Sequence, residues 1–403
     1  MERKRILVVS QYFYPEQFRI NDICTEWVKK GYEVTVVTGI PNYPSGSFFK
    51  GYSFFKKREE IYKGTHIVRL PIIPRGHNVI MLVLNYLSFV VSGWIWKLFT
   101  RIQADRVFIF EVSPMTQALV GVWFAKKRKI PCLLYVQDLW PDNVEIVMGI
   151  HNKFIISTIR RMVDYIYKHC TQIFATSESF VNTIVERNVA KEKVFYWPQY
   201  AEEFYHPVTD MKVPEIPSDA TFKIIFTGNI GQAQGLDILP RVAKLLKKEG
   251  LEAAVRFVLV GDGRYKETLM NEVKLMGVSA MFTFIGKQPA EKIPEFLSAC
   301  DMAFLSLANN LLFEKTIPAK LQSYLACGVP ILACAAGETA HIITDAEVGY
   351  VCKPGDENGL VARICEMMSF TDEARKTMGD NARAYFLQHF EKQMLLKQMD
   401  VYL

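Results

Sequence analysis

The chain contains 403 residues, of which 50% are hydrophobic and 22% are charged. This composition is typical of folded globular domains and excludes a disordered or fibrous protein, and the length predicts two or three domains. The net charge of +6 is uneven, because residues 1–207 carry 27 basic and 18 acidic side chains whereas residues 208–403 carry 21 and 24. The difference predicts two lobes with different partners. No basic run is dense enough to indicate nucleic acid as the main partner.

The cysteine and histidine spacings do not favour a metal site. None of the eight cysteines belongs to a C-x-x-C pair, and no His-x-x-x-His spacing occurs, so zinc binding is not expected. Most of the cysteines lie in apolar stretches, which is typical of a reduced cytosolic protein. The basic run Arg3–Lys4–Arg5 leads directly into the strand-like Ile6–Ser10, so no signal peptide is expected.

In the first half, short β-branched runs alternate with helix-length amphipathic stretches. This alternation predicts a parallel sheet covered by helices on both faces. The expected strands are Ile6–Ser10, Glu33–Thr38, Ile67–Leu70, Arg106–Phe110, Cys132–Val136 and Gln172–Thr176. The expected helices end at Lys29–Lys30, run through Lys126–Lys129 and lie around Ile155–Lys168.

Val79–Phe99 is a 21-residue apolar helix with basic residues near both ends. Its length is sufficient to span a bilayer, but strand-like stretches flank it, which disfavours a span. Contact with a membrane surface and burial in the core both stay open. On the membrane interpretation, five aromatic side chains would lie at the headgroup boundary. They are Tyr86, Phe89, Trp94, Trp96 and Phe99.

A proline-rich stretch, Trp197–Pro217, interrupts the pattern and indicates a linker. The predicted domains are residues 1–200 and 218–382, and a terminal helix over 383–403 is expected to pack back on the first domain. Six strands are expected after the linker: Phe222–Thr227, Val255–Val260, Phe282–Ile285, Met302–Leu305, Ile331–Ala333 and Gly349–Val351. The fold class is therefore α/β, with two doubly wound Rossmann-like domains whose ligands bind beyond the carboxyl ends of the strands.

Three glycine-bearing loops follow successive strands of the second half. Glycines allow backbone amides to approach an anion closely, and a following helix start adds a favourable dipole. Each loop alone is also explained by a tight turn, but together they indicate a nucleotide-sized crevice. The candidate nucleotide-binding residues in these loops are Gly228, Asn229, Gly231, Gln234, Gly261, Gly263, Gly286 and Lys287.

The segment Glu314–Pro330 adds a second candidate phosphate contact. Pro318 suits the first turn of a helix, so amides near it would point at a phosphate, and Lys320 would add a positive charge. The alternative for Lys320 is an ordinary surface lysine. Ser323 lies further along the same helix and is also a candidate nucleotide contact.

Asp138 is the candidate catalytic acid of the first half, because it follows the apolar strand Cys132–Val136. We expect it to contact a ligand at this edge of the sheet, although an aspartate capping the next turn has the same pattern. Trp140 either forms part of the wall of the ligand site or packs in the core. Asn42 and Tyr43 lie in a Pro/Gly-punctuated loop after a strand and are further candidates for ligand contact.

Four segments together resemble the retaining GT-B glycosyltransferases of family 4. They are Ser323–Pro330, Pro41–Gly46 with Gly51–Tyr52, Gln137–Asp142 and Gly228–Gly235. The combination is similar to the branch of O-antigen and capsule enzymes that includes N-acetyl-L-fucosamine transferases. The resemblance implies two domains facing across a cleft, a UDP-sugar donor and no metal or other cofactor. It also implies a same-face displacement in which the leaving phosphate takes the acceptor proton. Asp138 would then orient the acceptor hydroxyl or the donor sugar, and Asn42, Tyr43 and Trp140 would lie on the acceptor side.

The sequence departs from the family pattern where the family carries charge. Asn229 and Gln234 replace an arginine and a lysine that neutralise the donor pyrophosphate. The paired glutamates fall on Lys315 and Ser323, and the usual histidine is Gln137; a glycine pair is replaced near Phe18–Arg19. We hypothesise that Arg19 and Lys320 share the missing charge, since a desolvated diphosphate needs compensation. An exposed helix arginine is the alternative for Arg19.

The resemblance implies a transferase that moves a sugar from a UDP-linked donor, and the basic first half and the apolar Val79–Phe99 favour a lipid-linked acceptor. We expect it at the cytoplasmic face of the membrane, where anionic lipid attracts the basic first half. Two alternatives are a nucleotide-sugar 2-epimerase with the same fold and a non-catalytic protein that binds nucleotide or lipid.

Overall fold

Each half of the chain folds around its own sheet in the computed structural model, which describes residues 4–146, 149–209 and 213–403. One unit contains Met1–Trp197 together with Gln398–Leu403, and the other contains Pro198–Lys397. The chain leaves the first unit at the start of the proline-rich stretch. Between residues 197 and 221, the described positions contain neither a helix nor a strand.

The first unit contains an eight-stranded sheet in the order β3-β4-β2-β1-β5-β6-β7-β8. Its strands are β1 (Arg5–Val9), β2 (Glu33–Gly39), β3 (Glu59–Tyr62), β4 (Thr65–Leu70), β5 (Arg106–Glu111), β6 (Cys132–Val136), β7 (Gln172–Ala175) and β8 (Val194–Tyr196). The central strands are continuous apolar runs, and all five residues of β6 are buried, as expected for a sheet covered on both faces. Only β3 is antiparallel to its neighbour in this sheet.

Six α-helices connect these strands in the described part of the first unit. They are α1 (Arg19–Lys29), α2 (Val79–Phe99), α3 (Ala118–Arg128), α4 (Asp142–Ile146), α5 (Lys153–His169) and α6 (Glu178–Val185). α2 packs against α3 at Gly93, where an added Cβ would lie 2.4 Å from Cγ2 of Val120. The close approach of the two helices therefore requires glycine at this position.

The second unit contains a six-stranded parallel sheet in the order β11-β10-β9-β12-β13-β14. Its strands are β9 (Phe222–Asn229), β10 (Val255–Asp262), β11 (Phe282–Ile285), β12 (Met302–Ser306), β13 (Ile331–Cys334) and β14 (Gly349–Cys352). Its helices are α7 (Ile238–Lys248), α8 (Lys266–Leu275), α9 (Ile293–Ser298), α10 (Leu311–Glu314), α11 (Ala319–Cys327), α12 (Glu338–Asp345), α13 (Glu357–Ser369), α14 (Asp372–His389) and α15 (Lys392–Met399).

The strand order reverses once in each sheet, and this positions the loops that carry the candidate residues. β9 lies between β10 and β12, and β1 lies between β2 and β5. At such a reversal the connections diverge and leave a crevice beyond the carboxyl ends of the strands. The loops after β9 and β12 therefore meet in the second unit, and the loops after β1 and β5 meet in the first.

The terminal segment differs from the single helix expected over 383–403. α14 ends at His389, α15 begins at Lys392, and only Gln398–Leu403 belong to the first unit. Within that unit, the main-chain oxygen of Leu403 accepts hydrogen bonds from Lys4 Nζ and Arg106 Nε at 3.0 and 2.8 Å. The return to the first unit thus involves six residues and not a whole helix.

Candidate functional site

The ends of β9 and β10 are held together by their backbones. Gly228 and Gly261 have positive φ angles of 123° and 149°. A Cβ added at Gly261 would lie 1.9 Å from the carbonyl oxygen of Gly228, and one added at Gly263 would lie 2.2 Å from that of Ile230. Only glycine permits this approach, so main chain and not side chains forms the floor of the site.

A cavity of about 420 Å³ opens beside these loops. It is lined by Asn229, Gly231, Gln232, Arg264, Tyr265 and Thr268. The Arg264 side chain is exposed. This arginine was not among the candidates from sequence, because a single arginine after a glycine turn has no distinctive spacing.

Lys320 is a largely buried cation whose ammonium has no carboxylate partner within ion-pair distance in the described structure. Its Nζ donates a hydrogen bond to Gln234 Oε1 and lies 3.9 Å from the centroid of the Phe226 ring. Burial lowers the pKa of Lys320 to about 7, because a charge loses its hydration there. The neighbourhood therefore favours an anionic ligand that would supply the missing charge.

The position of Lys320 follows from the attachment of α11 to the sheet. One turn further along α11, the Tyr324 hydroxyl accepts a hydrogen bond from Thr227 N at 3.0 Å. This contact holds the start of α11 against the end of β9. Residues four apart share a helix face, so Lys320 is directed to the same strand.

The other candidate donor residues are placed differently from one another. Pro318 precedes α11 with an extended backbone (φ −71°, ψ 137°) and is not in its first turn. The Ser323 hydroxyl donates to Ala319 O at 3.2 Å, within its own helix. At the end of β11, Gly286 and Lys287 are exposed, and a Cβ on Gly286 would meet no atom within 4 Å.

In the first unit, Asp138 is joined to a small hydrogen-bonded group after β5 and β6. Its Oδ2 accepts from Ser113 N at 2.7 Å. Ser113 Oγ in turn accepts from Trp140 Nε1 at 3.1 Å and from Asn143 Nδ2 at 3.0 Å. Trp140 is only 5% exposed, so it packs in the core and fixes Ser113, and does not form an open acceptor wall.

Glu111, the last residue of β5, is a fully buried carboxyl beneath Asp138. Its Oε2 lies 3.5 Å from Asp138 N, and its Oε1 has no hydrogen-bond partner among the described residues. Burial and the negative charge of Asp138 raise the pKa of Glu111 well above its ordinary value, because both disfavour the ionised form. An acid at the end of a buried strand was the signal in the sequence that could have identified it.

Asn42 does not lie on an accessible acceptor surface. It is fully buried; its Nδ2 donates to Ile40 O at 2.9 Å, and its Oδ1 accepts from Arg75 N at 2.9 Å. Its amide is therefore used to brace the loop after β2. Tyr43, by contrast, is 38% exposed, with the Arg75 guanidinium 5.2 Å from its ring centroid.

Glu16 organises the same loop from inside the first unit. Its carboxylate accepts hydrogen bonds from Asn42 N and Tyr43 N at 2.8 and 2.7 Å. Burial raises the pKa of Glu16 to about 7. Arg19, the first residue of α1, is partly buried and not a fully exposed helix arginine; its charge acts on Tyr135 near the end of β6.

No group of three or more His, Cys, Asp or Glu side chains that could hold a metal ion occurs among residues 4–146, 149–209 and 213–403. The family model "Glycosyl transferase 4-like domain" matches residues 17–198, and "Glycosyl transferases group 1" matches residues 209–385. The chain belongs to the GT-B glycosyltransferases of family 4.

Individual relatives of this family 4 glycosyltransferase agree with the assignment. A protein of Escherichia coli (strain K12) named as a colanic acid biosynthesis glycosyl transferase, WcaI, is 26% identical over 368 residues, 87% of this chain and 86% of that protein. The structure of sucrose-phosphate synthase from Thermosynechococcus elongatus has a TM-score of 0.76 at 16% identity, covering 99% of this chain and 98% of the other. Anabaena Alr3699/HepE in complex with UDP has a TM-score of 0.71 at 14% identity and covers 100% and 99%.

The expected GT-B fold is thus confirmed, with a Rossmann-like sheet in each unit. The chain is therefore a glycosyltransferase. Its candidate residues fall into two groups, one in each unit. Lys320 and the glycine loops belong to the second unit, and Asp138 belongs to the first.

Proposed function

We propose that this glycosyltransferase is a retaining, metal-independent enzyme that uses a UDP-linked donor. The donor sugar in this proposal is an N-acetylamino sugar such as N-acetyl-L-fucosamine, and the acceptor is a lipid-linked saccharide of surface polysaccharide synthesis. The observation that carries the donor half is Lys320, a largely buried lysine beside the glycine loops, with no carboxylate within ion-pair distance among the described residues. The Anabaena neighbour has also been solved with UDP-glucose.

A diphosphate oxygen would replace Gln234 as the acceptor of the Lys320 hydrogen bond. A charge-assisted bond of this kind is roughly twice as strong as a neutral one and would stabilise the departing UDP. In the proposed mechanism Arg19 supplies a second cation, and the leaving phosphate removes the proton of the attacking hydroxyl on the same face of the sugar. Asp138 orients the reacting hydroxyl, so positioning supplies a large part of the rate.

The membrane half of the proposal rests on the exposed face of α2. By length and composition alone, α2 is the one helix in the described residues that could cross a membrane. It is attached along one side to the first unit, where Asn85 Nδ2 donates to Ile73 O at 2.6 Å and Ser92 donates to Pro71 O. Its large exposed apolar side chains are Val79, Ile80, Val83, Leu84, Leu87, Val91, Trp94, Ile95, Leu98 and Phe99.

These contacts favour an interfacial helix over a spanning one, because one side of α2 stays against protein. The expectation that five aromatic side chains of α2 lie at the headgroup boundary is wrong for two of them, because Tyr86 and Phe89 are buried. Trp94 and Phe99 remain exposed. At the end of α2, Lys127 Nζ donates to the carbonyl oxygens of Lys97 and Leu98. A basic side chain at this end of the helix supports the proposed contact with anionic headgroups.

Isothermal titration with UDP tests the donor proposal. We expect wild type to bind UDP and Lys320→Ala to bind it about 10- to 100-fold more weakly, since a hydrogen bond to a charged group contributes about 1.5–3 kcal/mol. Lys248→Ala, at an exposed lysine of α7, is the matched control. Arg19→Ala tests the second cation. Unchanged UDP affinity and turnover in both Arg19→Ala and Lys320→Ala would contradict the shared-charge mechanism.

Product analysis separates transfer from the alternatives. Each UDP-sugar of a panel is incubated with and without lipid-linked N-acetylglucosamine, and free UDP and the new glycolipid are measured. Retaining transfer requires UDP release that depends on the acceptor. It also requires a new glycosidic bond with the same anomeric configuration, axial or equatorial, as the bond in the donor. Conversion of UDP-N-acetylglucosamine without acceptor would instead identify an epimerase, and UDP binding without release would identify a binding protein.

Vesicle co-sedimentation tests the membrane proposal. We expect binding to phosphatidylcholine vesicles to increase when phosphatidylglycerol is added and to decrease in salt. Leu87→Gln combined with Trp94→Gln should weaken binding, whereas Leu275→Gln, at an exposed site of the second unit, should not. Equal binding by all variants would contradict the assignment of α2.

A further inference from the structure

The Ser113 hydroxyl has an unusual set of hydrogen bonds. Its Oγ accepts from both Trp140 Nε1 and Asn143 Nδ2, and a hydroxyl oxygen has two acceptor lone pairs and one O–H donor. Both lone pairs are therefore occupied by protein. The Ser113 O–H proton has no acceptor among the described residues, and the side chain is partly accessible.

Asp138 presents the complementary group. Its Oδ2 is occupied by Ser113 N at 2.7 Å, while Oδ1 accepts no hydrogen bond in the described part of the chain. The Asp138 side chain is partly accessible too. A free donor and a free acceptor thus lie side by side after β5 and β6, on groups whose remaining atoms are held by the fold.

The arrangement is rigid because it is fixed from below and from both sides. β5 and β6 are parallel neighbours with Glu111 opposite Val136, so the residues two positions beyond each strand end lie together. Trp140 is 5% exposed and packs where it donates to Ser113. Such fixed groups lose little freedom on binding a ligand, which improves orientation.

We propose that Ser113 and Asp138 form a saccharide subsite that holds the acceptor, with Asp138 Oδ1 accepting from one sugar hydroxyl and the Ser113 hydroxyl donating to the same or the neighbouring one. This rests on the proposed function, because it takes the acceptor to be a saccharide. It makes Ser113 a binding residue, and it makes Trp140 and Asn143 positioning residues that determine the direction of its O–H bond. A hydroxyl both donates and accepts, so a sugar matches the pair where a purely anionic or apolar ligand would not.

The test measures binding of methyl α-glycosides of glucose, galactose, mannose and fucose by ligand-observed NMR, with UDP present. We expect at least one glycoside to bind wild type and Ser113→Ala to weaken it about 5- to 10-fold, the cost of one hydrogen bond. Ser113→Thr should restore binding to within about twofold, since it keeps the donor. Ser157→Ala, at an exposed serine of α5, is the matched control.

Deoxy glycosides distinguish a ligand contact from a structural effect. One deoxy analogue lacks the hydroxyl that Ser113 contacts, and wild type should bind it weakly. Ser113→Ala should bind this analogue with the same affinity as wild type, because the deoxy change and the substitution remove the same hydrogen bond. Equal glycoside affinities in wild type and Ser113→Ala, or no binding of any glycoside to wild type, would overturn the subsite. Absence of UDP binding to wild type contradicts the proposed function, whereas intact UDP binding without a Ser113 effect contradicts the subsite alone.

Discussion

Replacing Lys320 with methionine should stabilise the unliganded protein in a pH-dependent way. The pKa of Lys320 is about 7 in the folded chain against an ordinary value of 10.5. Between these values the unfolded chain binds the extra proton, so the lysine destabilises the fold at low pH and its penalty decreases as pH rises. The penalty is about 4–5 kcal/mol near pH 6.5 and about 1–2 kcal/mol near pH 9.5, as an upper estimate.

Methionine fills a similar volume without the charge, so Lys320→Met removes this penalty. The hydrogen bond to Gln234 and the contact with the Phe226 ring are lost as well. The prediction therefore concerns how the difference in unfolding free energy between variant and wild type changes with pH, and not the size of that difference at one pH. The stability advantage of the variant over wild type should fall by about 3 kcal/mol between about pH 6.5 and pH 9.5.

Urea unfolding of the full chain at both pH values measures this difference, with Lys248→Met as the exposed-lysine control. Added UDP provides a second readout. Because a ligand stabilises only the form that binds it, UDP should stabilise wild type more than Lys320→Met and reduce or reverse the order. A stability difference that is the same at both pH values would refute the reasoning, since it would mean that the ammonium is already solvated or paired.

Three further predictions concern groups that the fold buries or crowds. Glu111→Gln should stabilise the protein more at pH 8 than at pH 5 in urea unfolding. The pKa of Glu111 is raised in the folded chain, so wild type loses stability as pH rises above the pKa of this carboxyl in the unfolded chain. A stability difference between variant and wild type that is the same at both pH values would contradict this prediction. Gly261→Ala should destabilise the second unit by about 2–4 kcal/mol in calorimetry, because its Cβ would lie 1.9 Å from Gly228 O and a positive φ disfavours alanine. It should also weaken UDP binding. Gly93→Val should cost about 1–3 kcal/mol of unfolding free energy by forcing α2 away from Val120; unchanged stability would show that the two helices are not closely packed.

Sequence reasoning was most accurate where hydrophobic pattern and local geometry agree. Cys132–Val136, Phe282–Ile285 and Val79–Phe99 have the bounds expected from their apolar runs. β3 was missed because Glu59–Tyr62 is short and half exposed and lacks such a run. β3 pairs with β4 in an antiparallel arrangement, and no local signal in the sequence indicates this pairing.

Side-chain burial accounts for the differences within the candidate site. Asn42 and Trp140 have polar or amphipathic side chains in loops that follow strands, which favours an open surface. The structure instead buries both and uses their polar atoms for internal hydrogen bonds. Glu111 is the last residue of β5, and Ser113 lies two positions beyond it. Nothing in the spacing of these two residues relates them to Asp138.

The sequence alone predicts two α/β halves, the linker between them, the glycine loops and the candidates Lys320 and Asp138. These features follow from periodicity, turn chemistry and helix-start preferences, which act over a few neighbouring residues. Only the tertiary structure decided that Lys320 has no carboxylate within ion-pair distance among the described residues, that α2 exposes an apolar face and that Ser113 is joined to Asp138. Those properties depend on which strands become neighbours and on what surrounds each charge. Both are set by packing between segments that are distant along the chain.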